Sequence, residues 1–227
     1  MQVYDVKVVF FDLDDSLINK DANSLWIKWR FRHERWALVE GMVALASLYR
    51  SYKKGRVSYG RLSRYYRTRA LGMNLDEYRQ RVAQFFHERG HLHIYPQAAS
   101  LLFAYRRMGV TLVLITGADE EVAQAFGRAL DIPHVISNRL AVEQGKITGL
   151  QRPLCYGSGK VGLARAFLRE QGLKFSDAAF YTDSHADLPL LEKVAQPVVL
   201  NPNNRLRATA AERGWPCLDW RMLTPLG

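Results

Sequence analysis

Three aspartates follow a short apolar run near the start of the sequence. The stretch VVFFDLDDS covers residues 8–16 and places Asp12, Asp14 and Asp15 within four positions. Like charges at this spacing repel, and the repulsion becomes tolerable when a divalent cation with a preference for oxygen ligands binds among them. A pair of aspartates after a strand is also typical of an ordinary turn, because Asp tolerates strained backbone. The cluster therefore predicts a cation site only where other residues join it.

Polar residues end or follow apolar runs at three further places. LVLITGA places Thr116 and Gly117 after one run, YGSGKVG places Lys160 at the start of a helical stretch, and FYTDSHADLPLL places Asp183 and Asp187 after another run. Each has an ordinary explanation by itself: a turn, a solvated surface lysine, and caps for a helix predicted from residue 188. Lys160 is the least expected, because the helix dipole disfavours a cation in the first turn.

The remaining pattern predicts the elements that position these residues. From residue 96 onward, short apolar runs typical of strands alternate with amphipathic stretches typical of helices. The predicted strands cover residues 6–11, 110–116, 134–138, 178–183 and 197–201, a hairpin turns at 144–145, and helices cover 74–90, 96–109, 119–130, 160–172, 188–194 and 204–214. This alternation predicts an α/β fold, with a Rossmann-like doubly wound parallel sheet and helices on both faces. The carboxyl ends of such strands converge on one crevice, where ligands bind.

A helical segment interrupts the alternation directly after the first strand. Residues 23–88 have helical character, and an insertion at the carboxyl end of a strand lies over the ligand crevice. We therefore predict two units: an α/β core made of residues 1–20 and 91–227, and a helical cap made of residues 21–90.

Together these residue types fit phosphoryl transfer. One carboxylate can act as a covalent nucleophile and form an aspartyl phosphate. A second carboxylate can protonate the leaving group and then deprotonate water. Paired acids bind Mg²⁺, while a lysine, a hydroxyl group and backbone N–H groups neutralise the phosphoryl oxygens.

The four motifs also resemble those of a known family. FFDLDDS, LITGA, GSGK and YTDSHADLPLL, in this order, resemble motifs one to four of the haloacid dehalogenase-like superfamily. The match is closest to its phosphoserine-phosphatase-like subclass IB, in which a helical cap follows motif one. The resemblance extends over nearly the whole chain, although the cap segment matches in kind and not residue by residue.

The resemblance implies a role for each motif residue. Asp12 corresponds to the nucleophile, which is also a Mg²⁺ ligand, and Asp14 to the general acid and base, which binds the metal through its backbone carbonyl. Thr116 and Gly117 correspond to the phosphate-binding residues of motif two, and Lys160 to the catalytic lysine of motif three.

Four further roles follow from the same resemblance. Ser16 supports the first loop and the phosphate, Asp183 is the metal ligand of motif four, and Asp187 completes the metal site by holding metal-bound water. Asp21 falls where phosphoserine phosphatases carry an acid that contacts the amine of the substrate.

Two positions depart from the family pattern. Asp15 stands where Gly is common, and Ala186 replaces an Asn that is frequent just before the second acid of motif four. Neither change removes an essential group, but both leave the identity of the substrate open.

We expect a Mg²⁺-dependent phosphomonoester hydrolase that acts on a small phosphorylated metabolite through an aspartyl phosphate. Asp14 argues against haloalkanoate dehalogenation, which uses the nucleophile without an acid two residues later. Transfer of the phosphoryl group to an alcohol instead of water stays open. So do two alternatives: a phosphatase of a phospholipid headgroup such as phosphatidylglycerophosphate or lysophosphatidate at a membrane surface, and a non-catalytic anion-binding protein.

Positive charge is concentrated in the predicted cap. Residues 28–69 hold twelve Lys and Arg against Glu34 and Glu40, which accounts for the whole net charge of +10. Such a field attracts anions, so it indicates either a solvated basic helical face or, with the apolar and aromatic residues of 36–69, a surface for an anionic membrane. No specific nucleic-acid partner is expected, and the oligomeric state is left open.

Composition sets the remaining bounds. Apolar residues make up 48% of the 227 residues, which is enough for a substantial core. Cys155 and Cys217 cannot form a disulfide framework, and the N-terminus lacks the pattern of a signal peptide. No run reaches the roughly 20 apolar residues that a spanning helix needs. We therefore expect a cytoplasmic protein, with peripheral attachment to the inner face of the membrane as the alternative.

Overall fold

The computed structural model describes residues 3–33, 70 and 72–221. Within these residues, six strands form one parallel sheet in the order β3-β2-β1-β6-β7-β8, and β4 and β5 form a separate antiparallel hairpin. The strands are β1 (Val8–Phe11), β2 (Thr111–Asp119), β3 (His134–Asn138), β4 (Leu140–Glu143), β5 (Lys146–Leu150), β6 (Ala178–Thr182), β7 (Gln196–Leu200) and β8 (Cys217–Leu218). The helices are α1 (Ala22–His33), α2 (Leu75–Glu88), α3 (Pro96–Arg107), α4 (Glu120–Ala129), α5 (Ser158–Glu170), α6 (Leu188–Leu191) and α7 (Asn204–Arg213). The predicted α/β architecture is confirmed.

The sheet is built around β1, whose residues are all completely buried. β1 lies between β2 and β6, with Val8 opposite Thr111 on one side and opposite Ala178 on the other. A strand covered on both faces needs apolar residues at every position instead of at alternate ones. The run VVFF meets this requirement, and the next residue, Asp12, therefore lies at the carboxyl edge of the sheet centre.

Helices cover both faces of the sheet. Val9 and Phe11 belong to one hydrophobic cluster with residues of α3 and α4, whereas Val8 and Phe10 belong to a second cluster with residues of α5, α6 and α7. Alternate side chains of one strand point to opposite faces, so β1 contributes to both clusters. This cover on two sides is what a doubly wound sheet requires.

Most predicted elements are present, with differences at their ends. β2 runs beyond the predicted end at residue 116 as far as Asp119, and its pairing with β3 shifts register between Ile115 and Asp119. α4 begins after Asp119, whose Oδ1 accepts from the Val122 N–H at 3.2 Å, so Asp119 caps the helix and does not belong to it. α6 ends at Leu191 and not at residue 194. β8 has two residues, too few to show a pattern in the sequence, and was missed.

The described part of the cap consists of α1 and α2, which pack through aromatic side chains. Trp26 stacks on Trp29 with ring centroids 5.4 Å apart, and Tyr78 and Phe85 meet Trp26 edge to face. The Tyr78 hydroxyl donates to Asp119 Oδ2 at 2.8 Å, which joins the cap to the carboxyl end of β2. α2 is thereby fixed to the carboxyl edge of the sheet, the edge at which Asp12 lies.

Much of the predicted basic surface belongs to residues that the structure does not describe. Residues 34–69, with the aromatic segment considered for a membrane surface, lie outside the described residues. Within the described ranges, no helix is long and apolar enough to cross a membrane. The division of the chain into core and cap at residues 21 and 90 stays a prediction.

Gly159 stands where the start of α5 touches the backbone of the preceding loop. A Cβ at this position would lie 2.1 Å from the Leu154 carbonyl oxygen, whereas a Cβ at Gly162 in the same helix would meet nothing within 4 Å. We expect Gly159→Ala to lower the free energy of unfolding by about 1–3 kcal/mol, because backbone atoms must shift. The control Gly162→Ala should raise it by about 0.5–1 kcal/mol, because Ala favours a helix interior. Urea unfolding measures both, and a Gly159→Ala protein as stable as the wild type would contradict the close contact.

Candidate active site

A buried lysine joins two aspartates at the carboxyl edge of the sheet. Lys160 Nζ donates to Asp12 Oδ1 and to Asp187 Oδ2, at 2.7 Å in each case. Thr182 Oγ1 donates to the same Asp187 oxygen at 2.8 Å. Lys160 has 3% of its surface exposed, which rules out the surface-lysine interpretation. The structure thus brings together residues of motifs one, three and four.

Neighbouring parallel strands explain this convergence. β1 and β6 pair in register, and the Asp12 N–H continues the ladder by donating to the Tyr181 carbonyl at 2.8 Å. Asp12 therefore leaves the sheet beside the end of β6, which is formed by Thr182 and is followed by the loop that carries Asp183. α5 starts at Ser158 and places Lys160 in its first turn, pointing towards both acids.

The two acids keep Lys160 charged in an unfavourable place. Burial by itself lowers the pKa of Lys160, but the Asp12 and Asp187 carboxylates outweigh burial and raise the pKa above its ordinary value. The helix dipole also opposes a cation in the first turn of α5. A charged lysine in this position is stable only with carboxylates in contact.

The acids nevertheless carry more negative charge than one lysine neutralises. Burial raises the pKa of Asp12 to about 6 even though Lys160 lowers it. Burial, with the nearby Asp12, Asp15 and Asp187 carboxylates, raises the pKa of Asp183 to about 8. Burial is the largest cause of both shifts, and a divalent cation bound beside these carboxylates would favour their ionised forms.

The donor set fits Mg²⁺. Within residues 3–33, 70 and 72–221, no three His, Cys, Asp or Glu side chains converge as metal ligands. Mg²⁺ does not require three, because it usually binds through one or two carboxylates and keeps several waters. Asp12, Asp183 and the Asp14 carbonyl are hard oxygen donors in adjacent loops. Ser16 orients this region, since its Oγ accepts from the Asp183 N–H at 3.0 Å and lies 3.4 Å from Asp183 Oδ1.

Asp14 and Asp21 both bind the first turn of α1. Asp14 Oδ1 accepts from the Ala22 N–H at 2.7 Å, and Asp21 Oδ1 accepts from the Ser24 N–H at 2.5 Å. Burial, followed by the Asp21 and Asp12 charges, raises the pKa of Asp14 well above its ordinary value. A pKa shifted in this direction favours the protonated carboxyl group, which is the form that a general acid needs. Asp21 acts as a helix cap in this structure, and its contact with a substrate amine stays a prediction.

Thr116 and Gly117 lie within the extended part of β2 and not in a loop after it. Thr116 is fully buried, and its Oγ1 accepts from the Ala118 N–H at 3.1 Å. The register shift between Ile115 and Asp119 lets this backbone leave regular pairing at the edge where Asp12 lies. Their role in phosphate binding stays a prediction.

Asn138 connects motif two to the loop before motif three and was missed in the sequence. Its Nδ2 donates to the Gly117 carbonyl at 2.7 Å, and its Oδ1 accepts from the Cys155 N–H at 2.8 Å. Asn138 ends β3, whose sequence HVISN has only two apolar residues and places Ser137 before Asn138. The signal in the sequence was therefore weak, and an Asn at a strand end is also an ordinary turn residue.

The backbone of Asp15 explains its departure from the family pattern. Asp15 has φ of 49°, a left-handed conformation that Gly adopts freely and that Asp tolerates better than most residues. The Asp15 carbonyl accepts from Asn201 Nδ2 at 2.8 Å, and Asn201 Oδ1 accepts from the Trp220 N–H at 2.6 Å. A second asparagine therefore holds the loop that carries Asp14.

Asp187 belongs to the lysine pair and not to a helix cap. It precedes α6, yet its side chain makes no capping hydrogen bond, and its Oδ2 accepts from Lys160 and Thr182 instead. The capping interpretation from the sequence is wrong for this residue. Its contribution to the metal site stays a prediction.

Comparison with known proteins agrees with this geometry. The family model described as haloacid dehalogenase-like hydrolase matches residues 9–192, which contain all four motifs. The chain belongs to this family. The predicted resemblance is thereby confirmed, and the roles of the individual motif residues stay predictions.

Two curated relatives carry phosphatase names. A probable phosphatase of Mycobacterium tuberculosis is 30% identical over 216 residues, which cover 93% of this chain and 74% of that protein. A histidinol-phosphatase of Neisseria meningitidis is 26% identical over 220 residues, which cover 94% of this chain and 99% of that protein. The prediction of an enzyme of the phosphoric monoester hydrolase class is confirmed at this level.

Two solved structures share the fold. A protein of unknown function from Bordetella pertussis superposes with a TM-score of 0.85 and 26% identity, over 93% of this chain and 97% of that one. A phosphoserine phosphatase in the apo form superposes with a TM-score of 0.65 and 14% identity, over 96% and 97% of the two chains. At 14% identity the second likeness is one of fold alone.

Loss of the Asn138 amide should loosen both loops that it joins. We expect Asn138→Ala to lower the free energy of unfolding by about 2 kcal/mol, because the buried Cys155 N–H loses its acceptor and the Gly117 carbonyl loses a donor. The control Asn203→Ala, which removes a cap bond to the Leu206 N–H at 2.9 Å in α7, should cost about 1 kcal/mol. Phosphatase activity should fall in Asn138→Ala and not in Asn203→Ala. An Asn138→Ala protein with wild-type stability and activity would contradict the role of Asn138 in joining the two loops.

The raised pKa of Asp183 predicts a pH dependence of stability without metal. Because the folded-state pKa of about 8 exceeds the unfolded value, the carboxylate destabilises the fold increasingly as pH rises towards 8. In EDTA, Asp183→Asn should therefore be more stable than the wild type at pH 9, with a smaller difference at pH 5.

The control variant, Asp177→Asn, should change stability at pH 9 in the opposite direction. Hydrogen bonds from the Lys174 N–H and the Lys7 side chain lower the pKa of Asp177, so Asp177→Asn should be less stable than the wild type at pH 9. Urea midpoints at both pH values measure the two effects. A metal-free Asp183→Asn protein no more stable than the wild type at pH 9 would show that Asp183 is not under this electrostatic stress.

Proposed function

We propose that this protein is a Mg²⁺-dependent phosphomonoester hydrolase that acts through an aspartyl phosphate at Asp12 on a small phosphorylated metabolite. The observation that carries the proposal is the buried Lys160 between Asp12 and Asp187, beside an Asp14 whose pKa is raised well above its ordinary value. Lys160 favours the ionised form of Asp12, which nucleophilic attack requires, and burial favours the protonated form of Asp14, which leaving-group protonation requires.

The first half-reaction forms the covalent intermediate. A carboxylate oxygen of Asp12 attacks phosphorus, the bond from phosphorus to the ester oxygen breaks, and Asp14 gives its proton to the departing alkoxide. In the second half-reaction Asp14 takes a proton from water as that water attacks phosphorus. The acyl phosphate bond breaks, inorganic phosphate leaves, and Asp12 regains its carboxylate.

Other residues hold the phosphoryl group during both steps. Lys160 presents a fixed positive charge beside the attacking oxygen, and Thr116 with the backbone of Gly117 donates to the phosphoryl oxygens. Asp12, Asp183 and the Asp14 carbonyl would hold Mg²⁺, which would supply further positive charge beside the phosphoryl oxygens. Asp187 fixes Lys160 and would complete the set of metal-site residues.

The names of the relatives support a small substrate. Histidinol-phosphatase and phosphoserine phosphatase each denote a low-molecular-weight phosphomonoester as substrate. Asp21 lies at the entry to the cap with one oxygen held by Ser24, so its second oxygen is the proposed contact for a substrate amine. Neither the phospholipid-headgroup alternative nor the non-catalytic alternative is favoured by these relatives.

Replacement of the nucleophile tests the proposal. We expect Asp12→Asn to lower Mg²⁺-dependent hydrolysis of p-nitrophenyl phosphate at least about a thousandfold, because an amide cannot form the intermediate. The matched control is Asp15→Asn, the same change three residues away at a left-handed position that Asn also tolerates, and it should stay within about tenfold of the wild type. Circular dichroism confirms folding. Hydrolysis that survives Asp12→Asn, or that persists unchanged in EDTA, would contradict the mechanism.

A further inference from the structure

A separate basic cleft lies beside helices α1 and α2. It has a volume of about 310 Å³ and runs between α1, the end of α2 and the turn at residues 89–93, with none of the motif residues in its lining. Three permanent cations and two histidines line it: Lys28, Arg32, Arg89, His33 and His93. Leu25 and Trp29 supply an apolar wall between the charged groups.

The one acid in the lining, Glu88, carries a single negative charge against the three permanent cations. Its Oε2 accepts from Trp29 Nε1 at 2.6 Å, and its Oε1 accepts from Gln84 Nε2 at 2.8 Å. His33 Nε2 is 3.5 Å from Glu88 Oε2. Among the residues that the structure describes, Lys28, Arg32 and Arg89 make no ion pair. The cleft therefore keeps an excess of positive charge.

The pKa of His93, which lines the cleft, is lowered in part by the same positive charges. Burial, followed by the charges of Lys20, Arg89 and Lys28, lowers its pKa below the ordinary value. Its Nδ1 lies 2.8 Å from Asn19 Oδ1, and its carbonyl accepts from the Asn19 N–H at 2.9 Å. Asn19 belongs to the segment between Asp14 and α1, so this wall of the cleft is fixed to the chain that leaves the active site.

We propose that this cleft binds the phosphate group of a second ligand, distinct from the phosphate hydrolysed at Asp12. Two arginines and a lysine around a concave surface match a multiply charged oxyanion, because guanidinium groups bind phosphate oxygens in pairs and form strong charge-assisted hydrogen bonds. The wall formed by Leu25 and Trp29 accommodates an apolar or aromatic group attached to that phosphate. A free phosphorylated metabolite and a lipid headgroup both present this chemistry.

Pyrophosphate and vesicles distinguish the two sources. Isothermal titration calorimetry with pyrophosphate, at low ionic strength in EDTA, compares the wild type with Arg32→Gln/Arg89→Gln. The control Arg107→Gln/Arg169→Gln removes the same charge from two exposed arginines on α3 and α5. The same three proteins are sedimented with phosphatidylglycerol vesicles and with neutral phosphatidylcholine vesicles. Circular dichroism checks that each variant is folded.

The expected result is pyrophosphate binding that weakens by about tenfold or more in the cleft variant and stays unchanged in the control, because two charge-assisted contacts are lost. Binding to phosphatidylglycerol vesicles that is lost in the cleft variant alone, without pyrophosphate binding, would assign the site to a lipid headgroup. Equal weakening in the control variant would reduce the effect to net charge and overturn the proposal. Absence of cleft-dependent binding to either probe would overturn it as well.

Discussion

The contact of one buried ammonium group with two carboxylates organises this protein. Lys160 Nζ lies 2.7 Å from both Asp12 Oδ1 and Asp187 Oδ2, and the first of these pairs joins residues 148 positions apart in the chain. A buried charge without partners would cost several kcal/mol, so β1, α5 and the loop after β6 must end at one place. The parallel sheet makes that possible, because the carboxyl ends of β1 and β6 are neighbours. The charge balance of Lys160 and the fold therefore require the same geometry.

The rest of the site shows negative charge that the fold alone does not balance. Asp183 and Asp14 keep raised pKa values because they are buried beside other acids. Buried acids this close together destabilise the metal-free protein. A bound cation and a phosphate would complete the charge balance, which gives a functional reason for the arrangement. Two asparagines hold the loops against this stress, Asn138 through Gly117 and Cys155, and Asn201 through the Asp15 carbonyl.

Much of the fold and the motif residues could be predicted from the sequence, because apolar runs that end in polar residues mark strand ends in a parallel sheet. Hydrogen bonds between residues far apart in the chain could not be predicted from the sequence. Nothing local in the sequence shows that Asn201 meets Asp15, 186 residues away, or that Asp15 has a left-handed backbone. A helix cap was the ordinary explanation for Asp187, because its position before α6 suits one, and only the contacts of its side chain with Lys160 and Thr182 exclude that explanation. The extension of β2 past Thr116 escaped notice because a Thr-Gly pair usually indicates a turn.

Trapping the phosphoryl group on the chain tests most directly whether Asp12 is the nucleophile. The protein is mixed with p-nitrophenyl phosphate and Mg²⁺, quenched in acid within one turnover and digested, and the peptide that contains residues 8–16 is examined by mass spectrometry. We predict one phosphoryl group on Asp12 in the wild type and none in Asp12→Asn. Release of phosphate with no phosphoryl group on Asp12, or with that group on another residue, would contradict the central role assigned to the Asp12–Lys160–Asp187 contact.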